Sequence, residues 1–228
     1  QRKQLLEGNW DVNEGAAFPE WNRAVHVVEP FKIPSSWTKF RACDYGYGSY
    51  TGVVWIAVSP SEQLVVYREL YCSKVTATDL ADMILDAEAE DGTIRYGVLD
   101  SSLWHKRGDT GPSLAEQMNM KGCRWRPSDR SRGSRVAGKN EMHRRLQVDE
   151  HTEEPRLVFF ANCTNTIAQL PSIPLDKRNP EDVDTNAEDH LYDALRYGIM
   201  TRPRSSIWDY NPATQRSGFQ ASDPSFGY

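Results

Sequence analysis

Three consecutive β-rich segments constrain the fold more than any other feature of this sequence. Residues 40–44 predict a strand that ends in a glycine-rich turn at 45–48, and residues 51–58 and 64–71 predict two more strands. Each segment is rich in β-branched and aromatic residues and is bounded by turn residues. Pro60-Ser61 indicates a tight turn between the second and third segments. The three segments therefore predict an antiparallel group of strands.

Helical and strand patterns alternate after this group. Residues 76–90 predict a helix with Thr76 as its N-cap, because Asp79 follows three positions later and one face is apolar. Residues 94–99 predict a strand. Further patterns predict a short helix at 112–120, a buried strand at 157–160 and a final helix at 186–200. The order predicts an α/β domain with a mixed sheet and flanking helices.

The composition bounds the architecture. The chain has 228 residues, 39% of them hydrophobic, which is enough for one domain with its own core. The longest apolar run, near 53–58, is far below the roughly 18 residues of a membrane span. Its four cysteines contain no CxxC pair, so neither a zinc cage nor a disulfide framework is indicated. We expect a soluble protein with a connector at 1–30, a domain at 31–203 and a tail at 204–228.

Charge is distributed unevenly along the chain. Residues 121–145 contain nine Lys and Arg against two acids, a net +7, so the rest of the chain carries −12 within the total of −5. The segment predicts a basic loop, which either contacts phosphates or is simply solvated. Phosphate contacts would give binding with little sequence preference and a steep salt dependence. The candidate contacts are Arg130, Arg132, Arg135, Lys139, Arg144 and Arg145.

Two aspartates share one type of position. Asp44 and Asp100 each follow an apolar run and precede small or flexible residues, which puts a carboxylate at the end of a strand. Ligand sites in open α/β sheets lie at strand ends. Each aspartate has a simpler explanation as a turn cap. The occurrence of both weakens that explanation.

A third acidic cluster lies on the predicted final helix. His190, Asp193 and Tyr197 are spaced i, i+3, i+7 and therefore lie on one face. The neighbouring apolar stripe contains Leu191, Leu195 and Ile199. With Asn186 as N-cap, Asp189 would be the N3 residue, where the helix dipole stabilises a carboxylate. Asp193 lies one turn deeper and needs another reason.

Three carboxylates from separate segments, with one optional imidazole, suit oxygen-binding divalent ions such as Mg²⁺ or Mn²⁺. Two such ions about 3.5–4 Å apart can hydrolyse a phosphodiester. The sequence contains no GxSxG motif for a serine nucleophile. Residues 133–140 nearly match a phosphate-binding loop, but Asn140 lacks the hydroxyl that holds Mg²⁺ and no buried strand precedes the segment.

The motifs taken together resemble a known family. They are Glu7-Gly8-Asn9-Trp10-Asp11 and 15–21 near the start, Cys43-Asp44-Tyr45-Gly46-Tyr47, Gly97-Val98-Leu99-Asp100, and Asp189-His190-Leu191-Tyr192-Asp193-Ala194-Leu195-Arg196-Tyr197. In this order they resemble the C-terminal nuclease domain of the large terminase subunit, the DNA-packaging motor of tailed bacteriophages. The first group resembles the connector that leaves the motor's ATPase domain. The resemblance covers most of the chain.

The resemblance implies a fold and an activity. The fold is RNase H-like, with a central mixed sheet whose first three strands are antiparallel. The activity is a two-metal endonuclease that cuts concatemeric double-stranded viral DNA. By matching positions, Asp44, Asp100 and Asp193 would be the core metal ligands, His190 an added ligand and Asp189 a peripheral or alternate one. The cofactors would be two Mg²⁺ or Mn²⁺ ions.

The resemblance also implies partners. In a full-length motor these would be the ATPase domain, the small terminase subunit and the portal, and the place of action would be the host cytoplasm, transiently docked on the procapsid. No ATPase activity is expected of this chain, and no membrane is involved. Two alternatives remain: a non-catalytic module that docks on DNA or the portal, and a structure-selective resolvase of the same fold.

Overall fold

A computed structural model describes residues 16–106, 111–184 and 187–201. One sheet of seven strands forms the centre of this part of the chain. The strands are β1 (Val27–Val28), β2 (Thr38–Asp44), β3 (Tyr50–Val58), β4 (Leu64–Ser73), β5 (Ile94–Leu99), β6 (Arg126–Pro127) and β7 (Leu157–Phe160). Their order across the sheet is β1-β7-β4-β3-β2-β5-β6.

The strand directions confirm the predicted mixed sheet. β2, β3 and β4 form an antiparallel group, and the remaining neighbours pair in parallel. The apolar side chains of β2, β3 and β4 fill the core together with those of β7. This arrangement is the expected central mixed sheet, with three antiparallel strands in its middle. It brings the ends of β2 and β5 side by side.

Six helices flank the sheet in the described residues. They are α1 (Arg23–His26), α2 (Ala77–Ala87), α3 (Leu114–Met120), α4 (Ser134–Leu146), α5 (Thr164–Gln169) and α6 (His190–Met200), with 3₁₀ turns at Ser101–Trp104 and Leu170–Ser172. The predicted cap of α2 is confirmed, because the Thr76 side chain accepts a hydrogen bond from the Asp79 amide. α3 begins slightly later than its pattern indicates, after a capping box formed by Ser113 and Glu116. No helix in the described part of the chain is long and apolar enough to cross a membrane.

Strand β2 has two different faces. Phe40 and Ala42 point towards α6, because a Cβ added at Gly198 would lie 3.2 Å from the Ala42 Cβ atom. Arg41 points to the other side, where both Glu88 carboxylate oxygens accept from it at 2.8 Å, just beyond the end of α2. The alternation follows from the two-residue period of a strand. Asp44 therefore belongs to the α6 side.

The second half of the basic segment is helix α4, which begins at Ser134, so the prediction of a loop was wrong for that half. Gly133 adopts a left-handed conformation with φ of 85° immediately before α4. The buried positions Ser134, Gly138, Met142 and Leu146 recur every four residues along α4. Gly138 permits a close approach to α6, since a Cβ atom there would lie 2.5 Å from the Arg196 Cγ atom.

The start of α6 also differs from the prediction. The helix begins at His190, so Asp189 is its N-cap rather than its N3 residue, and Asp189 makes no side-chain capping hydrogen bond. The predicted cap, Asn186, lies outside the described residues. Asp189 is consequently available for interactions with other elements.

Residues 16–28 pack against the sheet and helices. The Ala17 amide donates to the Ile173 carbonyl at 2.7 Å, and β1 pairs with β7 at the edge of the sheet. The Phe18 ring is buried between His143 of α4 and Tyr192 of α6, at centroid distances of 5.0 and 5.6 Å. This contact connects part of the predicted connector to two helices of the domain. Residues 1–15 and the predicted tail lie outside the described residues.

Candidate metal centre

Asp44 and Asp100 lie at the same edge of the sheet. β2 and β5 are parallel and Cys43 pairs with Leu99, so the next residue of each strand is one of the two aspartates. The predicted strand-end positions of both carboxylates are confirmed. Asp100 also caps the following 3₁₀ turn, where its Oδ1 atom accepts from the Ser102 amide at 2.8 Å. The capping and site interpretations of Asp100 are thus compatible.

The first residue of α6 contacts Asp44. The His190 Nδ1 atom lies 2.7 Å from Asp44 Oδ2. Gly52 pairs with Asp44 across β2 and β3, and a Cβ atom at this glycine would lie 2.9 Å from the His190 carbonyl oxygen. A side chain at position 52 would therefore push the start of α6 away from the sheet. The glycine permits the contact between His190 and Asp44.

Asp193 and Asp189 are held by arginines from two helices. Asp193 is 8% exposed, and its carboxylate accepts from Arg196 Nε at 3.0 Å and from Arg135 Nη1 at 3.1 Å. Arg135 Nη2 lies 3.8 Å from Asp189 Oδ2, and Arg135 Nε donates to Asp182 at 2.9 Å. One guanidinium group therefore faces three carboxylates.

Burial and mutual repulsion perturb the carboxyl groups. Burial raises the pKa of Asp44, and the neighbouring charges of Asp193 and Asp100 raise it further against the hydrogen bond from His190. Burial and Asp193 raise the pKa of Asp189 to about 6. The raised values mean that the hydrogen bonds and cations nearby do not offset the combined effect of burial and of repulsion between the carboxylates.

The same carboxylates also raise the pKa values of His190 and Tyr197. The hydrogen bond to Asp44 raises the pKa of the His190 imidazole. Burial raises the pKa of the Tyr197 hydroxyl, and the charges of Asp193, Asp44 and Asp100 raise it further. All three predicted core ligands are therefore close enough to act on one phenol. The fold brings together the residues that the sequence singled out.

The donor types fit a hard divalent cation, because carboxylate oxygens with one imidazole are the ligands that Mg²⁺ and Mn²⁺ accept. Among the residues that the structure describes, no three such side chains are already grouped at ligand spacing. Asp193 is engaged by Arg135 and Arg196, and Asp44 is engaged by His190. Side-chain rotation would be needed to complete a coordination shell.

The six predicted DNA contacts occupy different environments. Arg130 and Arg132 are exposed, and Arg144 is half exposed and pairs with Glu141. Lys139 is 6% exposed and donates to the Pro180 carbonyl. Arg145 is 1% exposed, and Arg135 lies in the carboxylate cluster. Only the first three side chains extend towards solvent.

Several residues of the cluster were not predicted as part of it. Arg196 lies three residues after Asp193 on one helix, a spacing that the sequence displays. Asp182 and Arg135 come from distant parts of the chain, and neither pattern nor spacing connects them to the site. Their contribution depends on the packing of α4 against α6.

Solved structures share this fold. The P22 large terminase nuclease domain has a TM-score of 0.65 at 18% identity, over 82% of this chain and 91% of that one. The large terminase from a thermophilic bacteriophage has a TM-score of 0.66 at 15% identity, over 82% of this chain but 45% of that chain. The large terminase nuclease from another thermophilic phage, G20c, solved with bound cobalt, has a TM-score of 0.57 at 10% identity, over 82% and 97%. No protein-family model and no curated protein sequence matches the chain. The chain has the fold of these nuclease domains.

Proposed function

We propose that this chain is a metal-dependent DNA endonuclease, the nuclease domain of a phage large terminase, and that it cuts concatemeric double-stranded DNA during genome packaging. The observation that carries the proposal is the proximity of Asp44 and Asp100, at the ends of β2 and β5, to the first turn of α6 with His190 and Asp193. The shared fold supports it, and so does the cobalt bound in the G20c nuclease structure.

Asp44, Asp100 and Asp193 would hold two Mg²⁺ or Mn²⁺ ions, with His190 and Asp189 as additional ligands. When bound, such ions supply an activated water and neutralise the charge of the departing 3′ oxygen. The hydrogen bond between His190 and Asp44 fixes both side chains relative to each other. Until cations bind, the carboxylates repel the DNA backbone, so metal dependence has an electrostatic as well as a chemical origin.

DNA would be bound by the exposed part of the basic segment. Arg130, Arg132 and Arg144 are the remaining candidates, because Arg135, Lys139 and Arg145 are engaged inside the protein. Contacts to phosphates position the duplex without reading its sequence. Loss of one contact should reduce the slope of log affinity against log salt concentration by about 0.9.

The chain spans less than half of the first thermophilic-phage large terminase that it matches. The wider setting is therefore part of the proposal: an ATPase domain in the complete motor, a small terminase subunit and a portal as partners, and the host cytoplasm at the procapsid as the place of action. Residues 134–140 of the near match to a phosphate-binding loop belong to α4.

Plasmid cleavage tests the proposal. Supercoiled plasmid is incubated with the protein and Mg²⁺, Mn²⁺ or EDTA, beside Asp100→Asn and the control Asp82→Asn. Asparagine retains N-cap ability at position 100, so folding should survive. Asp82 lies on α2, is half exposed and pairs with Lys121. We expect cutting that requires metal, is lost in Asp100→Asn and persists in Asp82→Asn.

Other outcomes identify the alternatives. Clear plasmid binding without cutting under either metal would contradict the nuclease and support a docking module. Faster cutting of four-way junctions than of linear duplex would support a resolvase.

A further inference from the structure

We propose that Arg135 is an internal counter-ion that competes with divalent metal for Asp193 and Asp189 and so lowers the metal affinity of the centre. This inference rests on the proposed function, because it concerns the same carboxylates. Arg135 has ion pairs to both residues and to Asp182. It was predicted from sequence as a DNA contact, whereas its guanidinium group faces the acidic cluster.

Of the two carboxylates Asp193 and Asp189, Arg135 forms hydrogen bonds only to Asp193. Its Nη1 atom donates to both Asp193 oxygens, at 3.1 and 3.4 Å. Its Nη2 atom is buried without a hydrogen-bond partner and lies 3.8 Å from Asp189 Oδ2, which is too far for a hydrogen bond. The guanidinium group therefore sits between the two carboxylates and satisfies only one of them.

A divalent cation and this guanidinium group compete for the same electron pairs. A carboxylate oxygen that accepts an N–H offers one lone pair fewer to a metal, and two cations at such short range repel each other. Binding of an ion at Asp193 would thus displace Arg135 Nη1. The Nε contact to Asp182, which is outside the proposed ligand set, would retain the side chain nearby.

Arg196 contacts the same carboxylate but has a different environment. Its side chain is 4% exposed, and its guanidinium carbon lies 4.6 Å from the centroid of the Tyr197 ring. The side chain of Arg135 is 31% exposed. Arg135 therefore has room to move towards solvent, whereas Arg196 is held by packing and keeps Asp193 oriented. Arg135 would thus give way to a metal ion, while Arg196 would continue to hold the Asp193 carboxylate in place.

The test is Mn²⁺ binding to the Arg135→Gln protein without DNA, measured by calorimetry at constant ionic strength, with thermal melting in EDTA as a second readout. We expect the dissociation constant to fall at least about fivefold, the low end of typical coupling between two bound groups. The melting temperature in EDTA should fall, because the carboxylates lose a counter-ion. The increase in melting temperature on adding Mn²⁺ should grow.

The matched control is Arg156→Gln. The Arg156 side chain is 44% exposed and pairs with Asp149, outside the cluster, so this substitution also removes one Arg charge. It should leave the Mn²⁺ affinity unchanged. Arg135→Lys keeps the charge but lacks the planar fork that reaches two carboxylates at once, so it should tighten binding by less than Arg135→Gln. If Arg135→Gln does not fold, the Mn²⁺ affinity of Arg135→Lys is compared with that of the wild-type protein instead.

Weaker or unchanged Mn²⁺ binding in Arg135→Gln would overturn the inference, because weaker binding would make Arg135 a positioning residue. This failure is distinguishable from failure of the proposed function. If the wild-type protein binds Mn²⁺ and cuts DNA while the variant does not bind more tightly, only the inference is wrong. If the wild-type protein binds no Mn²⁺, the metal centre and the inference are both wrong.

Discussion

The two faces of strand β2 use buried charge in opposite ways. On the α2 side, the guanidinium group of Arg41 meets the single carboxylate of Glu88, which also accepts from Trp55 Nε1 at 2.7 Å. On the α6 side, Asp44 belongs to a cluster of five carboxylates that share two guanidinium groups and one imidazole (Asp44, Asp100, Asp182, Asp189, Asp193 with Arg135, Arg196 and His190).

The α2 side holds a balanced ion pair, whereas the α6 side holds more carboxylates than cations. Burying a charge without a partner is unfavourable. A buried charge therefore needs a partner of opposite sign for the protein to fold, whatever the protein's function. A surplus of carboxylates is tolerated where an external cation completes the charge balance. The comparison therefore predicts that substitutions on the α2 side change stability, and that substitutions on the α6 side change activity.

The largest expected effect is on activity, at Asp44. Asp44→Asn should lower plasmid cleavage by about 10²- to 10³-fold, because a metal contributes several kcal/mol to the transition state and each 1.4 kcal/mol is tenfold. The melting temperature in EDTA should stay the same or rise, since one of the mutually repelling carboxylates is neutralised. Cleavage assays and thermal melting of the same preparation measure both. Cleavage by Asp44→Asn at the wild-type rate would contradict the expectation that substitutions on the α6 side change activity.

On the opposite face, Arg41→Met should lower the free energy of unfolding by about 3–5 kcal/mol, because it leaves the Glu88 charge buried and unpaired. Adding Glu88→Gln should recover a large part of the loss, while the glutamine oxygen still accepts from Trp55. Urea denaturation measures both values. Cleavage per folded molecule should remain at the wild-type level, and a loss of activity in the folded double variant would contradict the separation of the faces.

A substitution at Gly52 should affect stability and activity together. Gly52→Ala places a Cβ atom 2.9 Å from the His190 carbonyl oxygen and 3.0 Å from the Leu191 amide nitrogen, so the start of α6 must move. We expect a loss of about 1–3 kcal/mol, as for other overpacked sites, together with reduced cleavage. Gly48→Ala in the same β2–β3 connection is the control, since nothing lies within 4 Å of its Cβ position. Equal behaviour of the two variants would show that α6 does not need this approach.

The smallest expected effect is the response to acid without metal. Asp189 has a pKa raised to about 6 from an ordinary 3.8, so its protonation is favoured in the folded state. Its stabilising contribution is fully present below the unfolded pKa and is lost as pH rises through about 6. Between pH 5 and pH 7 in EDTA, Asp189→Asn should therefore remove about 1–2 kcal/mol of pH-dependent stability, allowing for screening.

The difference between wild type and Asp189→Asn is the quantity to measure, because other groups titrate in the same range. Burial lowers the pKa of His26, whose Nε2 atom lies 2.7 Å from the Leu146 carbonyl oxygen. Protonation of His26 is therefore disfavoured in the folded state, and its contribution to stability falls as pH decreases below 6.5. Subtracting the two titrations cancels this shared term. Identical titrations of the two proteins would contradict the raised pKa of Asp189.

The sequence was sufficient for the features that depend on local periodicity. Apolar β-rich runs placed Asp44 and Asp100 at strand ends, and helical spacing placed Asp193 one turn after His190. Both features depend on residues close together in the chain. The side of β2 that faces α6 also follows from its two-residue period, once one contact is known.

The α4 region was predicted less well, because its buried face is only weakly apolar. Its four-residue repeat consists of Ser134, Gly138, Met142 and Leu146, and the buried surface also includes the charged residues Lys139 and Arg145. Such a face looks like a basic loop in composition. Arg135 was therefore predicted to point towards DNA, although the packing of α4 against α6 directs it to Asp193. Long-range ion pairs of this kind have no signal in one sequence.

The burial of Phe18 between His143 and Tyr192 has a mechanical consequence. A pulling force on the chain at residue 16 would be carried first by the Ala17 hydrogen bond to Ile173 and by this ring. Extraction of the ring would leave a cavity between the helix of Arg135 and the helix of Asp193. Displacement of the ring would therefore alter the packing of α4 against α6, on which the contact between Arg135 and Asp193 depends.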